Sequence, residues 1–160
     1  MLPRKFFLTK GIGRHRDELS SFALALENAS IGKFNLVKVS SIIPPKCEFL
    51  SKEKGTQLLK PGQIVYCVLA ENKTNQKDKF IAVGMGIALP KNLKDIGYVM
   101  EYASSKYSES EIGTYAENSA RDMLSEQLGI NVLKSMHITH SAKEQDSLWT
   151  TTVVATVFII

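Results

Sequence analysis

Two adjacent serines, Ser40 and Ser41, sit inside a β-branched run, Asn35-Leu36-Val37-Lys38-Val39-Ser40-Ser41-Ile42-Ile43, which Pro44 and Pro45 bring to a halt. Val37, Val39, Ile42 and Ile43 are residues of a buried strand, and the prolines, lacking an N–H, end its ladder. A hydroxyl in such a strand costs energy unless it is hydrogen-bonded, so the pair asks for a chemical reason. One is available. A serine Oγ can attack the carbonyl carbon of the residue before it and turn the amide into an ester. Loss of the attacking residue's α-proton then eliminates the ester and leaves a dehydroalanine. Hydrolysis releases ammonia and leaves a ketone. The attack needs the oxygen close to the carbonyl and donors ready for the oxyanion, so a held, distorted backbone favours it. The same dipeptide also suits the plainer task of ending a strand at a turn.

Glu101 is the second candidate. It lies in Gly97-Tyr98-Val99-Met100-Glu101-Tyr102-Ala103, a strand with one acid among apolar neighbours. Burial raises a carboxyl pKa toward that of a usable general acid; on an edge strand the same acid simply faces water. His137 and His140 fall on opposite faces of their strand and make a poor metal pair. Cys47 and Cys67 have no metal-ligand spacing, and two thiols make no disulfide framework. Gly11-Ile12-Gly13 before Arg14-His15-Arg16 lacks the spacing of a phosphate or dinucleotide loop, and reads as a solvated turn.

The segment around the serines, with Asn35 six residues before Ser41 and Pro-Pro following, resembles the self-cleavage site of the pyruvoyl-dependent arginine decarboxylases. The similarity spans nearly the whole chain and is sharpest at 31–45, 97–102 and 113–129. It implies cleavage between Ser40 and Ser41 into a β chain (1–40) and an α chain (41–160), with Ser41 becoming the pyruvoyl cofactor. It further implies that Glu101, in the matching Met-Glu-Tyr segment, protonates the carbanion left when carbon dioxide departs. Asn35 is expected to serve the site, and Leu26 and Ile42 to line the substrate pocket. The implied fold is an α+β, four-layer αββα sandwich, and the implied assembly a homotrimer or a dimer of trimers. Six residues of straight strand span about 20 Å, so Asn35 is expected to act in a site completed by a neighbouring subunit.

The electron-sink argument points the same way. Decarboxylating an amino acid leaves an α-carbanion that no ordinary side chain delocalises, whereas a carbonyl does so after forming a Schiff base with the substrate amine. No phosphate cradle for pyridoxal phosphate (PLP) is evident, and no metal is called for. The expected reaction is L-arginine to agmatine and carbon dioxide. One position departs from the pattern: arginine-specific relatives carry an acid on the first helix where Ala23 stands. The nearest acids are Asp17, Glu18 and Glu27, and an unpaired guanidinium in a closed pocket is costly. A relative with another substrate, or a catalytically idle one acting as an assembly subunit, is the alternative; a small basic nucleic-acid-binding module is another.

The elements that must position these residues are legible in outline. With 160 residues, 44% hydrophobic and 22% charged, the chain fits one domain with a substantial core. The net charge of +4 is spread rather than clustered, so no nucleic acid is expected as partner. No apolar run approaches a membrane span, and no signal peptide is apparent, so a cytoplasmic protein is expected. Strands are expected at Phe6–Thr9, from Phe34 into the serines, and at Gln63–Ala70 (buried on both faces). Further strands are expected at Phe80–Leu89, Gly97–Ala103, Leu133–Ser141 and Trp149–Ile160. Lys46–Gly62 and Glu71–Lys79 read as polar connections. One helix spans Asp17 to about Ser30 with Leu19, Phe22, Ala23 and Leu26 as its apolar face and Gly32 as its stop. A second starts at a Ser108/Glu111 capping box and ends at Gly129, with Ile112, Tyr115, Ala116, Ser119, Met123 and Gln127 along one face. In the Phe80–Leu89 strand, Ala82, Gly84, Gly86 and Ala88 form a face of small residues that admits a backbone or a ligand.

Overall fold

The computed structural model describes residues 1–160. Nine strands form two sheets: β1 (Lys5–His15), β2 (Asn35–Lys38), β3 (Ile42–Ile43), β4 (Glu48–Leu50), β5 (Ile64–Thr74), β6 (Phe80–Pro90), β7 (Gly97–Ser104), β8 (Val132–Lys143) and β9 (Trp149–Ile159). Sheet 1 runs β2-β5-β9-β1-β4 and sheet 2 runs β3-β7-β6-β8. Pairing is antiparallel except at β1–β4 and β2–β5, both on the flanks of sheet 1.

The two sheets face each other across a core that includes Phe6, Val68, Val83, Met85, Ile87, Val99, Val154 and Phe158. On its other face sheet 1 is covered by α1 (Glu18–Asn28), with Phe7, Ala25, Ala29, Cys67, Val153 and Val157 buried between them. Sheet 2 is covered by α3 (Glu109–Asp122), which continues as a wider π turn over Met123–Gln127. Here Ala88 packs with Ala120 and Leu124. A short helix, α2 (Lys52–Gln57), rests its Gly55 against the Phe7 ring. The continuous apolar runs in β5, β6 and β9 are the strands with apolar neighbours on both sides. No helix is long and apolar enough to cross a membrane.

Both main helices approach their sheets closely, and glycine explains how. A Cβ on Gly11 or Gly13 would strike the backbone oxygens of Ala25 or Ser21 on α1, and one on Gly86 the backbone oxygen of Ala116 on α3. The small-residue face of β6 is thus a helix seat and not a ligand pocket. Gly11 and Gly13 likewise lie within β1, which runs through to His15 instead of turning after Thr9.

Close approach also rewrites the helix faces. On α1 the buried residues are Ser21 and Ala25, followed by Ala29 at the cap; Phe22 and Leu26 pack at the side, while Leu19 and Ala23 are exposed. On α3 the stripe is Ile112, Ala116, Ala120 and Leu124, with Tyr115 and Gln127 outside. The α3 capping box forms as expected, Ser108 N–H donating to Glu111 Oε2 at 2.8 Å and Glu111 N–H to Ser108 Oγ at 3.3 Å. Gly129 takes the left-handed φ of +67° that stops the helix. At the end of α1 that role falls to Ser30, φ +65°, and Gly32 instead makes room for the Glu27 side chain. The connection at 46–62 contains β4, paired with Lys5–Phe7, and α2, capped by Ser51. The strand ending at Ala70 in the sequence reading continues to Thr74, pairing with Thr150–Thr152 on β9.

Candidate active site

The stretch from Asn35 to Ile43 is not one strand. Residues 35–38 pair with β5 in sheet 1, and Val39 N–H still donates to Cys67 O at 2.9 Å. Residues 42–43 pair with β7 in sheet 2. Ser40 and Ser41 therefore carry the chain across from one sheet to the other. This segment is an edge and is largely exposed, contrary to the buried strand its composition suggests: Val37, Val39 and Ile42 are 41%, 39% and 38% exposed.

The crossing bends the backbone in a specific way. Ile42 N–H donates to the Ser40 carbonyl at 3.0 Å, closing a three-residue turn centred on Ser41. The Ser40 carbonyl, the one Ser41 Oγ would attack, thus already has a donor on its oxygen. Val99 N–H donates to the Ser41 carbonyl at 2.8 Å and fixes the far side of the turn on β7. Ser41 is half-buried and Ser40 exposed. A cavity of about 380 Å³ opens beside them, lined by Val39, Ser40, Ile42, Pro44, Tyr66 and Phe158 among others.

Glu101 lies two residues beyond Val99 on β7, about 7 Å of strand rise from the anchor of Ser41. Its register partner is Met85, which faces the core between the sheets, so Glu101 points to that side too. The residue is exposed, yet partial desolvation shifts its carboxyl upward from the ordinary carboxylate value, and the Lys38 ammonium acts in the opposite direction. A second cavity, about 250 Å³, is shared by Glu101, Tyr102 and Glu71. Glu71 accepts an ion pair from Lys38 Nζ at 3.5 Å. Lys38 and Glu71 were not singled out by sequence reading; the only signal was an acid placed directly after the apolar run of β5.

The other expected residues lie apart within one chain. Asn35 is at the start of β2, its Nδ2 donating to Gly62 O at 2.7 Å. Leu26 packs into the core under α1 on the outer face of sheet 1. Ile42 lines the cavity beside Ser40. Of the acids near Ala23, Asp17 caps α1 through Ser20 and Glu18 pairs with Lys73 at 2.5 Å, while Glu27 is exposed and lies beside Gly32. The thiols of Cys47 and Cys67 are both pushed up to about 11 by burial, which leaves them protonated and unreactive near neutrality. His137 bonds Glu117 at 2.5 Å, a pairing of sheet 2 with α3.

The family model for pyruvoyl-dependent arginine decarboxylases matches residues 5–160. The chain belongs to that family. It is 42% identical over 180 residues to the pyruvoyl-dependent arginine decarboxylase of Methanococcoides burtonii, covering 100% of both chains. It is 44% identical to the pyruvoyl-dependent arginine decarboxylase 2 of Methanosarcina mazei, covering 99% of this chain and 98% of that one. A probable member of the family from Chlorobium limicola is 41% identical over 99% of this chain and 98% of the relative. Among solved structures, a pyruvoyl-dependent histidine decarboxylase shares the fold with a TM-score of 0.50 at 12% identity. That match covers 64% of this chain, which spans about half (53%) of the histidine decarboxylase chain.

Proposed function

We propose that this chain decarboxylates L-arginine to agmatine and carbon dioxide, using a pyruvoyl group made from its own Ser41. Cleavage would fall between Ser40 and Ser41 and leave a β chain of 1–40 and an α chain of 41–160. The observation that carries this reading is the turn at Ser41, where the carbonyl to be attacked accepts the Ile42 N–H. That donor can hold the oxyanion as Ser41 Oγ adds to the Ser40 carbonyl carbon. Collapse expels the Ser41 nitrogen and forms the ester; removal of the Ser41 α-proton then expels the Ser40 carboxylate. Water completes the ketone with release of ammonia.

When present, the pyruvoyl group supplies the electron sink that decarboxylation needs. The residues around it have separate tasks. Glu101, whose carboxyl is shifted upward by partial desolvation, is the proton donor to the substrate α-carbon in this reading. Ile42 borders the site, and Leu26 and Asn35 would contribute from an adjacent copy in a homotrimer or a dimer of trimers. The exposed apolar edge of Val37, Val39 and Ile42 supports such an assembly. The layer order, helix on sheet 1, sheet on sheet, then helix on sheet 2, fits the four-layer αββα sandwich of this class. Ala23 leaves open a second reading, a relative with another substrate or none, since Asp17 and Glu18 are engaged within the chain and Glu27 lies one turn on beside Gly32.

Intact-mass measurement of the purified protein tests the central claim. Two fragments matching 1–40 and 41–160 are expected, the larger with a blocked, borohydride-reducible N-terminus, while Ser41→Ala stays whole. Wild-type protein that remains one piece with no reactive carbonyl overturns it. Turnover of arginine against lysine and ornithine then separates the two substrate readings.

A further inference from the structure

We propose that Tyr66 is the hydrogen-bond donor to the Ser40 carboxylate as it forms, and so acts in the second step of self-cleavage, the elimination of the ester. The inference rests on the reading of Ser40–Ser41 as the cleavage site. It starts from the cavity of about 380 Å³ beside that bond, which nine residues line. Among them only Ser40 and Tyr66 carry a side-chain hydroxyl. Val39, Ile42, Pro44 and Phe158 are apolar, and no charged side chain lines the space.

The fold holds Tyr66 in this place. It lies on β5 in register with Val37 of β2, and its ring packs on the core between the sheets, the side that Val68 also occupies. Cys67, between these two, turns to the α1 side, and its carbonyl accepts the Val39 N–H at 2.9 Å. That bond ties the residue before Ser40 to the residue after Tyr66. At Ser40 the backbone leaves sheet 1 for sheet 2, so Tyr66 stands where the chain departs.

The chemistry supplies the need. In the ester, the former Ser41 Oγ joins the Ser40 acyl carbon to the Ser41 β-carbon. Elimination passes the Ser41 α-proton to water. The C–H electrons form the double bond between the α- and β-carbons, and the bond from the β-carbon to oxygen breaks with its electrons on oxygen. The Ser40 carboxylate so formed has two oxygens. One is the old carbonyl oxygen, which the Ile42 N–H bonds at 3.0 Å. The other is the oxygen that has just left Ser41, and it is the one in need of a donor. Beside an apolar wall a carboxylate is costly without one. A phenol is a far weaker acid than a carboxylic acid, so it donates the hydrogen bond and keeps its proton. Ser40 is exposed, so water shares the task. The expected loss on removing the hydroxyl is therefore about tenfold, below the hundredfold or more of a closed oxyanion hole.

Tyr66→Phe removes the hydroxyl and keeps the ring. Cleavage of freshly purified protein, followed by intact mass, should slow about tenfold, with the uncleaved material building up as the ester. Hydroxylamine added to the folded protein splits that ester into a 1–40 hydroxamate and a 41–160 fragment headed by serine, which mass separates from the pyruvoyl-headed one. Parent protein at matched times should give little of this serine-headed fragment. Loss of packing alone would hinder the first attack and leave the amide, which hydroxylamine spares. Tyr66→Phe protein that cleaves at the parent rate, or slows without hydroxylamine-sensitive material, therefore overturns the inference. Parent protein that never cleaves overturns the self-cleavage reading itself, a result that needs no variant and is told apart in that way.

Discussion

Helix α1 crosses sheet 1 over Gly11 and Gly13, and α3 crosses sheet 2 over Gly86, each with helix backbone where a side chain would stand. Beyond that shared contact the two seams diverge. Under α1 the buried polar contacts are neutral, Ser21 Oγ lying 2.7 Å from Thr151 Oγ1 and Thr9 Oγ1 donating to Ala29 O at 2.5 Å, and the one ion pair, Glu18 with Lys73, sits at the solvent-exposed rim. Under α3 they are ionic. Glu109 accepts from Thr139 at 3.0 Å and Ser141 at 2.6 Å, while Glu117 accepts from Ser135 at 2.7 Å and meets His137. Burial raises both carboxyls, but the hydrogen bonds outweigh it and both end below the ordinary glutamate range, helped by Lys10 and His140 at Glu109 and by His137 and Arg121 at Glu117. The buried seam under α1 is therefore fastened by neutral groups, with its carboxylates at the exposed rim, and the seam under α3 is fastened by carboxylates.

The shared feature gives the largest expected effect. Gly86→Ala and Gly13→Ala each drive a methyl into helix backbone that cannot swing aside, and each should cost about 3 kcal/mol in urea unfolding. A loss confined to one of the two would break the equivalence of the seats. The divergence comes next. Glu109→Gln or Glu117→Gln should lower stability at neutral pH by about 1–2 kcal/mol. The sign of the pH dependence follows from the lowered values: stabilisation is complete above the unfolded value near 4.5 and is lost as pH falls through the lower folded value. Hydrogen exchange across an acid titration should accordingly show α3 and β8 loosening before α1 and β1. Exchange that rises in both halves together would remove the distinction. The smallest effect belongs to the neutral seam, where Ser21→Ala should cost about 1 kcal/mol at every pH tested.

These seams also show where sequence reading succeeds. β5, β6, β7 and β9 were legible because apolar residues run through them, and the capping box of α3 because its residues are local. The face of α1 was misread for a physical reason. Hydrophobicity favours Leu19, Phe22 and Ala23, but a helix seated on glycine needs small residues below it, and Ser21 and Ala25 fill that role. The same glycines made the second half of β1 look like a turn. Polar pairing hid the end of β5, whose Asn72 and Thr74 oppose the threonines of β9. At the site, Ser40, Ser41 and Glu101 stood out by type and setting. Lys38 and Glu71 did not, since their ion pair arises only when β2 lies beside β5.

The place where the backbone passes between the sheets has a mechanical consequence. Residues 1–40 are no detachable tail: β1 is zipped along its length to β9 and flanked by β4, α1 is sunk onto its glycines, and β2 clasps β5. A break after Ser40 would cut the one covalent span joining these anchored parts and disturb almost none of the packing. The two pieces would stay interlocked like dovetailed timber, and the new chain end at position 41 could turn toward the cavity without the protein coming apart.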